Sequence, residues 1–453
     1  MTPSRSEEIE GVRIRLQELV ESGDDEAIRD LLQELHPSDV ADLVETLDAD
    51  QERVALLEAL PPELASEALA EMEDEEDPGE ILAALDPKKG AELLGELEYD
   101  DAVDLVAELE PDERARILAA MPLEEAGQIR GLLRYDEETA GGLMNTALVR
   151  VQSTISAGQA IAEVRRQGRE VEDFYTVFVV DDGHHLLGTV PLDDLILADP
   201  LAPVIDLVEP VVSSVLPDED QEEVGRLLSH YNLVSIPVVD TFGVLLGRIT
   251  FDDVLDVLEA ERTEDILRFV GTSDQEEIRA DWHETVRTRL PWLALNLLTA
   301  TAAASVVYFY RHTVEEIVLL AVLAPIIAAL GGNAGTQALA VTVRRISLAG
   351  EVGHSPFVAV GKELLVGLVN GMVLGGAIAL FSLAVGGDPN LGLVVLLAMW
   401  GNLVVAGFAG SFVPTFLSRV GVDPAVASSV FVHTFTDLVG FFLLLGLATS
   451  ILL

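Results

Sequence analysis

One carboxylate, Asp437, stands well inside the apolar stretch that runs from residue 423 to residue 453. An aspartate near the middle of a membrane-spanning helix costs about 2.5–3.5 kcal/mol on insertion scales, so it normally faces a partner, a water-filled cavity or an ion path. Helical spacing brings several hydroxyl groups and one imidazole near the same face, from Ser428, Ser429, His433, Thr434 and Thr436. This arrangement predicts a cation site. The alternative is an aspartate that is hydrogen-bonded to a neighbouring helix.

A second unusual segment, residues 325–337, places Pro325 and the pair Gly331 and Gly332 before Asn333 in another apolar stretch. We predict that these residues interrupt the helix, because irregular backbone at membrane depth is tolerated where it lines a cavity or meets protein. Close packing of helices through small residues is the alternative. Two later apolar stretches carry further polar, small or helix-bending residues: Glu363, Gly367, Asn370, Gly371, Gly401, Asn402, Gly407, Gly410 and Pro414.

Five apolar stretches reach the roughly 20 residues that a membrane helix needs, at 290–310, 314–343, 357–385, 391–417 and 426–453. Basic residues favour the cytoplasmic side of a membrane. One side carries Arg287, Arg289, Arg344, Arg345 and Arg419, and the other carries mainly Arg311. We therefore predict a multi-pass protein of the cell membrane, with its N-terminal half in the cytoplasm and Leu453 outside.

Charge is distributed unevenly, since the first 290 residues hold 71 acidic and 22 basic residues, a formal charge of −49. Such a surface repels nucleic acid and anionic lipid headgroups, so a nucleic-acid partner is not predicted. The acidity is typical of a halophile, which makes any single pair of carboxylates weak evidence for a metal site. The absence of cysteine excludes disulfides and thiolate metal sites. The polar first ten residues predict no cleavable signal peptide.

Residues 13–135 read as many short helices, with apolar residues three and four apart and turns at Leu-x-Pro or Asp-Pro. The segments 36–45 and 100–108 resemble each other, which points to a helical superhelix, with a generic helical bundle as the alternative. Asp100 and Asp104 lie four residues apart and share a helix face, where a solvated acidic face is the favoured interpretation.

A β-rich repeat begins after Gly141. Residues 176–181 and 186–188 recur as 235–240 and 245–247, and each copy runs into a helix that opens with paired aspartates. The segment resembles a tandem pair of CBS domains. Such pairs often bind adenosine nucleotides through Thr-x-x-Asp, which the second copy has as Thr250 and Asp253, whereas the first copy has Pro191. The resemblance therefore implies one candidate ATP site at most.

Residues 251–270 read as one long amphipathic helix that precedes the first span, and so form a candidate transmission element. The order of superhelix, CBS pair, connecting helix and five spans is similar to the MgtE-type magnesium transporter family over nearly the whole chain. Gly-Gly-Asn-x-Gly-x-Gln within 325–337, Asp-Pro-Ala at 423–425 and Thr-Phe-Thr-Asp at 434–437 agree with this family. Ser429, Val430, His433 and Asn232 depart from its usual residues.

The resemblance implies a homodimer whose pore follows the two-fold axis, where Asp437 of each subunit attracts hydrated Mg²⁺. It also implies that Mg²⁺ bound among cytoplasmic carboxylates holds the pore shut. By position in the sequence, the implied ligands of this regulatory Mg²⁺ are Asp220, Asp253, Asp256, Glu259, Glu264 and Asp265, together with Asp100 and Asp104.

The sequence thus predicts a multidomain membrane protein with an all-α superhelix (1–138), an α/β tandem CBS pair (139–250), a connecting helix (251–280) and a five-helix transmembrane domain (281–453). The predicted ion pathway comprises Asp437, Asn333, Gly331, Gly332, Ser429 and Thr434, with Asp423 as a further metal ligand. A magnesium channel conducting into the cytoplasm is favoured, and a proton- or sodium-coupled divalent cation transporter is the alternative. Enzyme activity is not predicted, because no nucleophile–base arrangement or phosphate loop occurs.

Overall fold

The computed structural model describes residues 11–16, 19–20, 24–47, 49–72, 76–169, 171, 174–270, 282–347, 356–384, 388–420 and 429–453. It divides into two compact units, Met1–Glu259 and Ala260–Leu453. The first unit contains the N-terminal helices and both β-rich repeats, and the second contains the long apolar helices.

Short helices follow one another along the N-terminal part: α1 Asp25–Leu32, α2 Pro37–Glu45, α3 Asp50–Ala59, α4 Pro62–Ala70, α5 Pro78–Ala84, α6 Pro87–Leu94, α7 Tyr99–Glu108, α8 Pro111–Ala120 and α9 Leu123–Leu132. Five of them open with proline, whose fixed φ and missing N–H suit the first helical position. Each helix packs mainly against the helix two further along the chain, and leucine and alanine side chains fill the space between them. This arrangement confirms the predicted superhelix.

The first β-rich repeat forms a three-stranded sheet in the order β1 Arg150–Gln152, β2 Thr176–Val180 and β3 Leu186–Pro191, with β1 parallel and β3 antiparallel to β2. Helix α10, Ala157–Gln167, and helix α11, Leu192–Leu197, pack against this sheet. The second repeat has α12 Gln221–Tyr231, β4 Ser235–Val239 and β5 Leu245–Thr250, with β4 antiparallel to β5. The two repeats therefore share a helix followed by an antiparallel pair of strands, as the tandem CBS resemblance implied, although only the first has a third strand among the described residues.

A strand-like segment at the start of the CBS pair, before the first repeat, pairs with the second repeat. Asn145 pairs with Arg248 of β5 through two backbone hydrogen bonds, of 2.8 and 2.9 Å. Helix α13, Phe251–Val270, follows β5 directly and matches the helix predicted over residues 251–270, while the remainder of the predicted connecting segment, 271–280, lies outside the described residues.

Five helices of the second unit are long and apolar enough to cross a membrane. The helices of this unit are α14 Trp282–Phe309, α15 Arg311–Glu316, α16 Leu319–Ser347, α17 Pro356–Ala384, α18 Pro389–Arg419 and α19 Ser429–Leu452. The predicted start of the second span at residue 314 was wrong, because the chain leaves the helical conformation at Ile317 and the span begins at Leu319. The five-helix fold class is confirmed.

Helix α16 is continuous, so the predicted interruption between residues 325 and 337 was wrong. Pro325 lies in the second turn, where its missing N–H deprives only the carbonyl of Ala321 of a helical partner. Gly331 and Gly332 keep helical geometry, since neighbouring spans pack against their bare Cα atoms. The glycines serve close packing, which was the alternative interpretation.

Candidate functional site

The helix that carries Asp437, α19, packs against the glycines of α16. A Cβ at Gly332 would lie 2.6 Å from Nε2 of His433, and a Cβ at Gly331 would lie 3.3 Å from Cβ of Thr436. Neither position has room for a larger side chain unless α19 moves. The glycines therefore fix how closely, and at what rotation, α19 meets α16.

Asp437 lines a cavity of about 610 Å³ that is widely open to the exterior of the membrane unit. Apolar residues of α14 form much of its wall, and its polar members are Tyr308, Arg311 and Glu315. The guanidinium of Arg311 stacks 5.0 Å from the centre of the Tyr308 ring. In the described part of the chain, Asp437 makes no side-chain hydrogen bond to a neighbouring helix. A half-buried carboxylate that faces a cavity favours the ion-path interpretation over the helix-packing alternative.

His433 lies one turn before Asp437 on the same helix, close enough for the two side chains to interact. The imidazole therefore borders both the glycine contact and the carboxylate. It gives the surroundings of Asp437 a nitrogen donor, a ligand type that suits zinc, nickel and copper better than magnesium.

The other predicted pathway residues are not gathered around Asp437 within one chain. Asn333 is exposed on the outside of the unit, whereas Gly331 and Gly332 are buried between helices. The hydroxyl of Thr434 donates a hydrogen bond of 2.7 Å to the carbonyl of Val430 on its own helix. Asp423 and the side chain of Ser429 lie outside the described residues.

A second cluster of carboxylates belongs to the first unit and reaches from its surface to the buried Asp100, where the start of α7 faces the start of α13. The cluster, here called the acidic cluster, comprises Glu71, Glu98, Asp100, Asp101, Asp104, Asp253, Asp256 and Glu259. The structure thus brings together five of the predicted regulatory residues: Asp100, Asp104, Asp253, Asp256 and Glu259. The solvated face predicted for Asp100 and Asp104 was wrong for Asp100, which is buried, whereas Asp104 is exposed as predicted.

Burial of Asp100, partial burial of Asp101 and Asp253, and mutual repulsion make the acidic cluster costly when every member is ionised. Burial, together with Asp253 and other neighbouring carboxylates, raises the pKa of Asp101 to about 7. Burial raises the pKa of Asp100 well above its ordinary range, and the pKa values of Asp253 and Asp256 are also raised mainly by burial. Such a site favours whatever supplies positive charge, whether protons or a cation.

One end of the acidic cluster carries its own positive charge and amide donor. The fully buried side chain of Asn145 donates hydrogen bonds to Glu98 and, at 3.0 Å, to Oδ1 of Asp100. Nη2 of Arg248 lies 3.4 Å from both carboxylate oxygens of Glu98. Sequence reasoning missed Asp101, Glu98, Asn145 and Arg248, because the contacting residues lie up to 150 positions apart.

Thr250 and Asp253, the candidate ribose contacts, are hydrogen-bonded to each other. The hydroxyl and the backbone N–H of Thr250 both donate to Oδ2 of Asp253, the latter at 3.1 Å. Asp253 therefore belongs both to this pair and to the acidic cluster. A nucleotide that used Asp253 would have to compete with these two hydrogen bonds.

The remaining predicted regulatory residues have other surroundings. Asp220 caps α12, where its side chain accepts a hydrogen bond of 2.9 Å from the N–H of Glu222. Glu264 pairs with Arg268 on α13, and the side chain of Asp265 lies outside the described residues. Within the described ranges, no three His, Asp or Glu side chains are arranged as a preformed metal site.

Comparisons with known proteins agree with this architecture along the chain. The family model described as a divalent cation transporter matches residues 324–447, and the model of the MgtE intracellular N domain matches 35–138. The CBS domain model matches 140–200 and 204–260. Two solved structures are similar in fold, each with a TM-score of 0.51 and each covered to 99%. The soluble part of a magnesium transporter is 32% identical over 56% of this chain, and the cytosolic domain of the Mg²⁺ channel MgtE in complex with ATP is 36% identical over 54%.

Curated relatives extend the similarity to the full chain. A magnesium transporter MgtE of Thermus thermophilus is 36% identical over 453 residues, which cover 98% of this chain and 99% of the relative. One from Enterococcus faecalis is 36% identical over 72% of this chain and 71% of its own length. The chain therefore belongs to the MgtE family, which comprises divalent cation transporters and not enzymes, as its sequence motifs predicted.

Proposed function

We propose that this protein conducts Mg²⁺ into the cytoplasm down its electrochemical gradient, along a path that passes Asp437. The observation that carries the proposal is the carboxylate of Asp437, which opens into a cavity of the membrane unit. The relatives from Thermus thermophilus and Enterococcus faecalis, which are named magnesium transporters, support Mg²⁺ as the ion.

The physical chemistry of Mg²⁺ suits a path with few protein ligands. The ion is small, gives up its waters reluctantly and prefers oxygen, so one carboxylate per subunit can attract it while it stays largely hydrated. A divalent cation gains about 4.6 kcal/mol on moving inward across 100 mV, so entry requires no coupled ion. A channel-like mechanism is therefore favoured over proton- or sodium-coupled transport.

The path is completed by a second copy of the chain. In a two-fold homodimer, Asp437 of each subunit would face the axis and double the negative charge that attracts the cation. Large exposed apolar side chains on α19, Phe431, Phe435 and Phe442, support burial of this helix against a partner or lipid. Arginines at 287, 289, 344, 345 and 419 support an orientation with the first unit in the cytoplasm and Leu453 outside.

Cytoplasmic Mg²⁺ closes the path by binding at the acidic cluster. Without a cation, the buried Asp100, the half-buried Asp101 and Asp253 and the exposed Asp256 repel one another, which strains the contact between α7 and α13. A bound divalent cation neutralises them and holds the two helices together. Because α13 continues from the acidic cluster to Val270, a change at its first turns is transmitted along one helix.

ATP is proposed as a second cytoplasmic ligand, at the end of β5. The solved MgtE cytosolic domain with ATP supports this proposal, since it is 36% identical to the corresponding part of this chain. Thr250 and Asp253 would have to exchange their mutual hydrogen bonds for contacts with ribose. Isothermal titration of ATP against wild type and Thr250→Val tests this site, and equal affinities would exclude it.

Flux into proteoliposomes loaded with a Mg²⁺-sensitive dye tests the main proposal. Asp437→Asn keeps the size of the side chain and removes its charge, so Mg²⁺ entry should fall at least tenfold. Asp388→Asn is the matched control, because Asp388 caps α18 and does not line the cavity.

Wild-type flux in the Asp437→Asn protein would refute the role of this carboxylate. Imposed proton or sodium gradients separate the mechanisms. Flux that follows those gradients would favour the coupled transporter, whereas flux that follows only the Mg²⁺ gradient and the membrane potential supports the channel.

A further inference from the structure

The side chain of Asn402 is a buried polar group in the middle of the membrane unit. It is fully buried on α18, and its Nδ2 donates a hydrogen bond of 3.0 Å to the carbonyl of Ile327 on α16. Its Oδ1 is also buried and has no hydrogen-bond partner among the described residues. Leaving a buried amide oxygen without a partner is unfavourable, so this residue requires an explanation beyond filling space.

Asn402 occupies a slot between two other spans. A Cβ at Gly440 of α19 would lie 2.8 Å from Nδ2 and 3.2 Å from Oδ1 of Asn402. A Cβ at Gly331 of α16 would overlap Nδ2. The carboxamide is therefore clamped by a glycine on each side and joins α16, α18 and α19 at one point.

This slot lies next to the residues that form the candidate ion path. Gly440 follows Asp437 by three residues, slightly less than one helical turn, and so lies near the same face of α19. Gly331 adjoins Gly332, which packs against His433. A shift of α19 at the slot would therefore change the direction in which Asp437 points.

We propose that Asn402 is a positioning residue for ion conduction. Its carboxamide, held by the carbonyl of Ile327 and the two glycines, fixes the rotation of α19 so that Asp437 faces water in the cavity. The proposal rests on the proposed function for its role in conduction, but the orientation of Asp437 can be measured without flux.

This chain contains no cysteine, so a reagent that modifies thiols reacts only at a cysteine introduced by mutation. The full-length Asp437→Cys variant is reconstituted and treated with a water-soluble methanethiosulfonate reagent, and its rate of modification is measured. The same measurement is made after adding Asn402→Leu, which fills the slot without the hydrogen bond, and after adding Asn402→Ala, which removes the carboxamide without adding bulk. We expect both second substitutions to slow modification at position 437 at least tenfold.

Two controls separate rotation of α19 from general damage. Asn390→Leu makes the same change at an exposed position of α18, and it should leave the rate at position 437 unchanged. A thiol placed by Ser450→Cys, at an exposed position of α19, should react equally in all Asn402 backgrounds. In the chain with Asp437 intact, Asn402→Ala should lower Mg²⁺ flux at least fivefold while the thermal midpoint in detergent shows that the protein is folded.

The possible outcomes separate the role of Asn402 from the proposed Mg²⁺ conduction. If the Asp437→Cys thiol reacts at the same rate in the chain with Asn402 and in the chain with Asn402→Ala, the positioning role is overturned. This holds regardless of the Mg²⁺ flux that either chain supports. A thiol at position 437 that never reacts, even with Asn402 present, refutes the water-facing path and the proposed function with it. Slowed modification together with failed Mg²⁺ flux in the wild type would uphold the positioning role and refute only magnesium conduction.

Discussion

Replacing Asp101 with asparagine should stabilise the first unit at neutral and alkaline pH. Folding raises the pKa of this carboxyl from 3.8 to about 7. The unfolded chain therefore loses the proton at lower pH than the folded chain. Above pH 7 the folded state must hold a charge that burial and its neighbours oppose, and below pH 3.8 the group is protonated in both states, so the cost disappears.

The pKa of Asp101 differs by about three units between the folded and unfolded states, and each unit corresponds to about 1.4 kcal/mol of unfolding free energy. The ionised Asp101 therefore destabilises the folded unit by about 4 kcal/mol at pH 8. Asparagine carries no charge at any pH and should recover most of that amount. The wild-type unit should gain stability as the pH falls from 8 towards 5, and the Asp101→Asn variant should show a flatter profile over the same range.

Urea unfolding of residues 1–259, followed by circular dichroism at several pH values, measures both effects. Asp112→Asn is the matched control, because Asp112 lies exposed on α8, outside the acidic cluster. Added Mg²⁺ should stabilise the wild type more than the Asp101→Asn variant. Equal urea midpoints for the two proteins at pH 8, or a wild type that loses stability on mild acidification, would refute the reasoning.

Four further outcomes are expected. Arg248→Met should destabilise the first unit by about 2 kcal/mol in urea unfolding, because it removes the buried guanidinium that pairs with the partly exposed carboxylate of Glu98; an unchanged midpoint would contradict this role. Gly332→Val should abolish Mg²⁺ flux, because its Cβ would press against His433, whereas Gly361→Val has open space and should conduct normally. His433→Thr should weaken block of Mg²⁺ flux by Ni²⁺ about tenfold, since it removes a nitrogen donor beside Asp437; unchanged block would exclude the imidazole as a ligand. A chain lacking residues 1–260 should still conduct Mg²⁺ in proteoliposomes but no longer close as internal Mg²⁺ rises, and inhibition at the full-length concentration would remove the sensor from the first unit.

The spans and the CBS pair could be predicted from sequence because each depends on local signals. A bilayer demands long apolar runs, and the CBS copies repeat the same strand and turn residues. The continuity of α16 could not be predicted, since Pro325 and the glycines have the same composition whether they break a helix or admit a neighbour. Only the packing of His433 and Asn402 against the glycines distinguishes these cases.

The acidic cluster shows a second limit of sequence reasoning. A spacing of four residues places Asp100 and Asp104 on one face of a helix, and sequence reasoning favoured a solvated face for both. That reasoning considers one helix in isolation and ignores the elements that pack against it. The structure buries Asp100 against Asn145, which lies 45 residues away. Among 71 carboxylates in the first 290 residues, only such long-range contacts distinguish a strained acid from a solvated one.

Arg248 and Asn145 also limit the negative charge that the proposed regulatory cation would neutralise in the acidic cluster. They bind Glu98 and one oxygen of Asp100 through protein groups alone, so this end of the contact between α7 and the second CBS domain should not require a metal ion. Arg248 also offsets part of the charge of Asp253, whereas only carboxylates surround Asp101 and Asp256 among the described residues, and their repulsion remains until protons or a cation neutralise it. Cation removal should therefore loosen the contact on the α13 side first while the Arg248 end holds. Salt at 1 M screens exposed charges over about 3 Å but screens buried pairs much less, so it should relieve repulsion at Asp256 before it weakens the contact between Arg248 and Glu98.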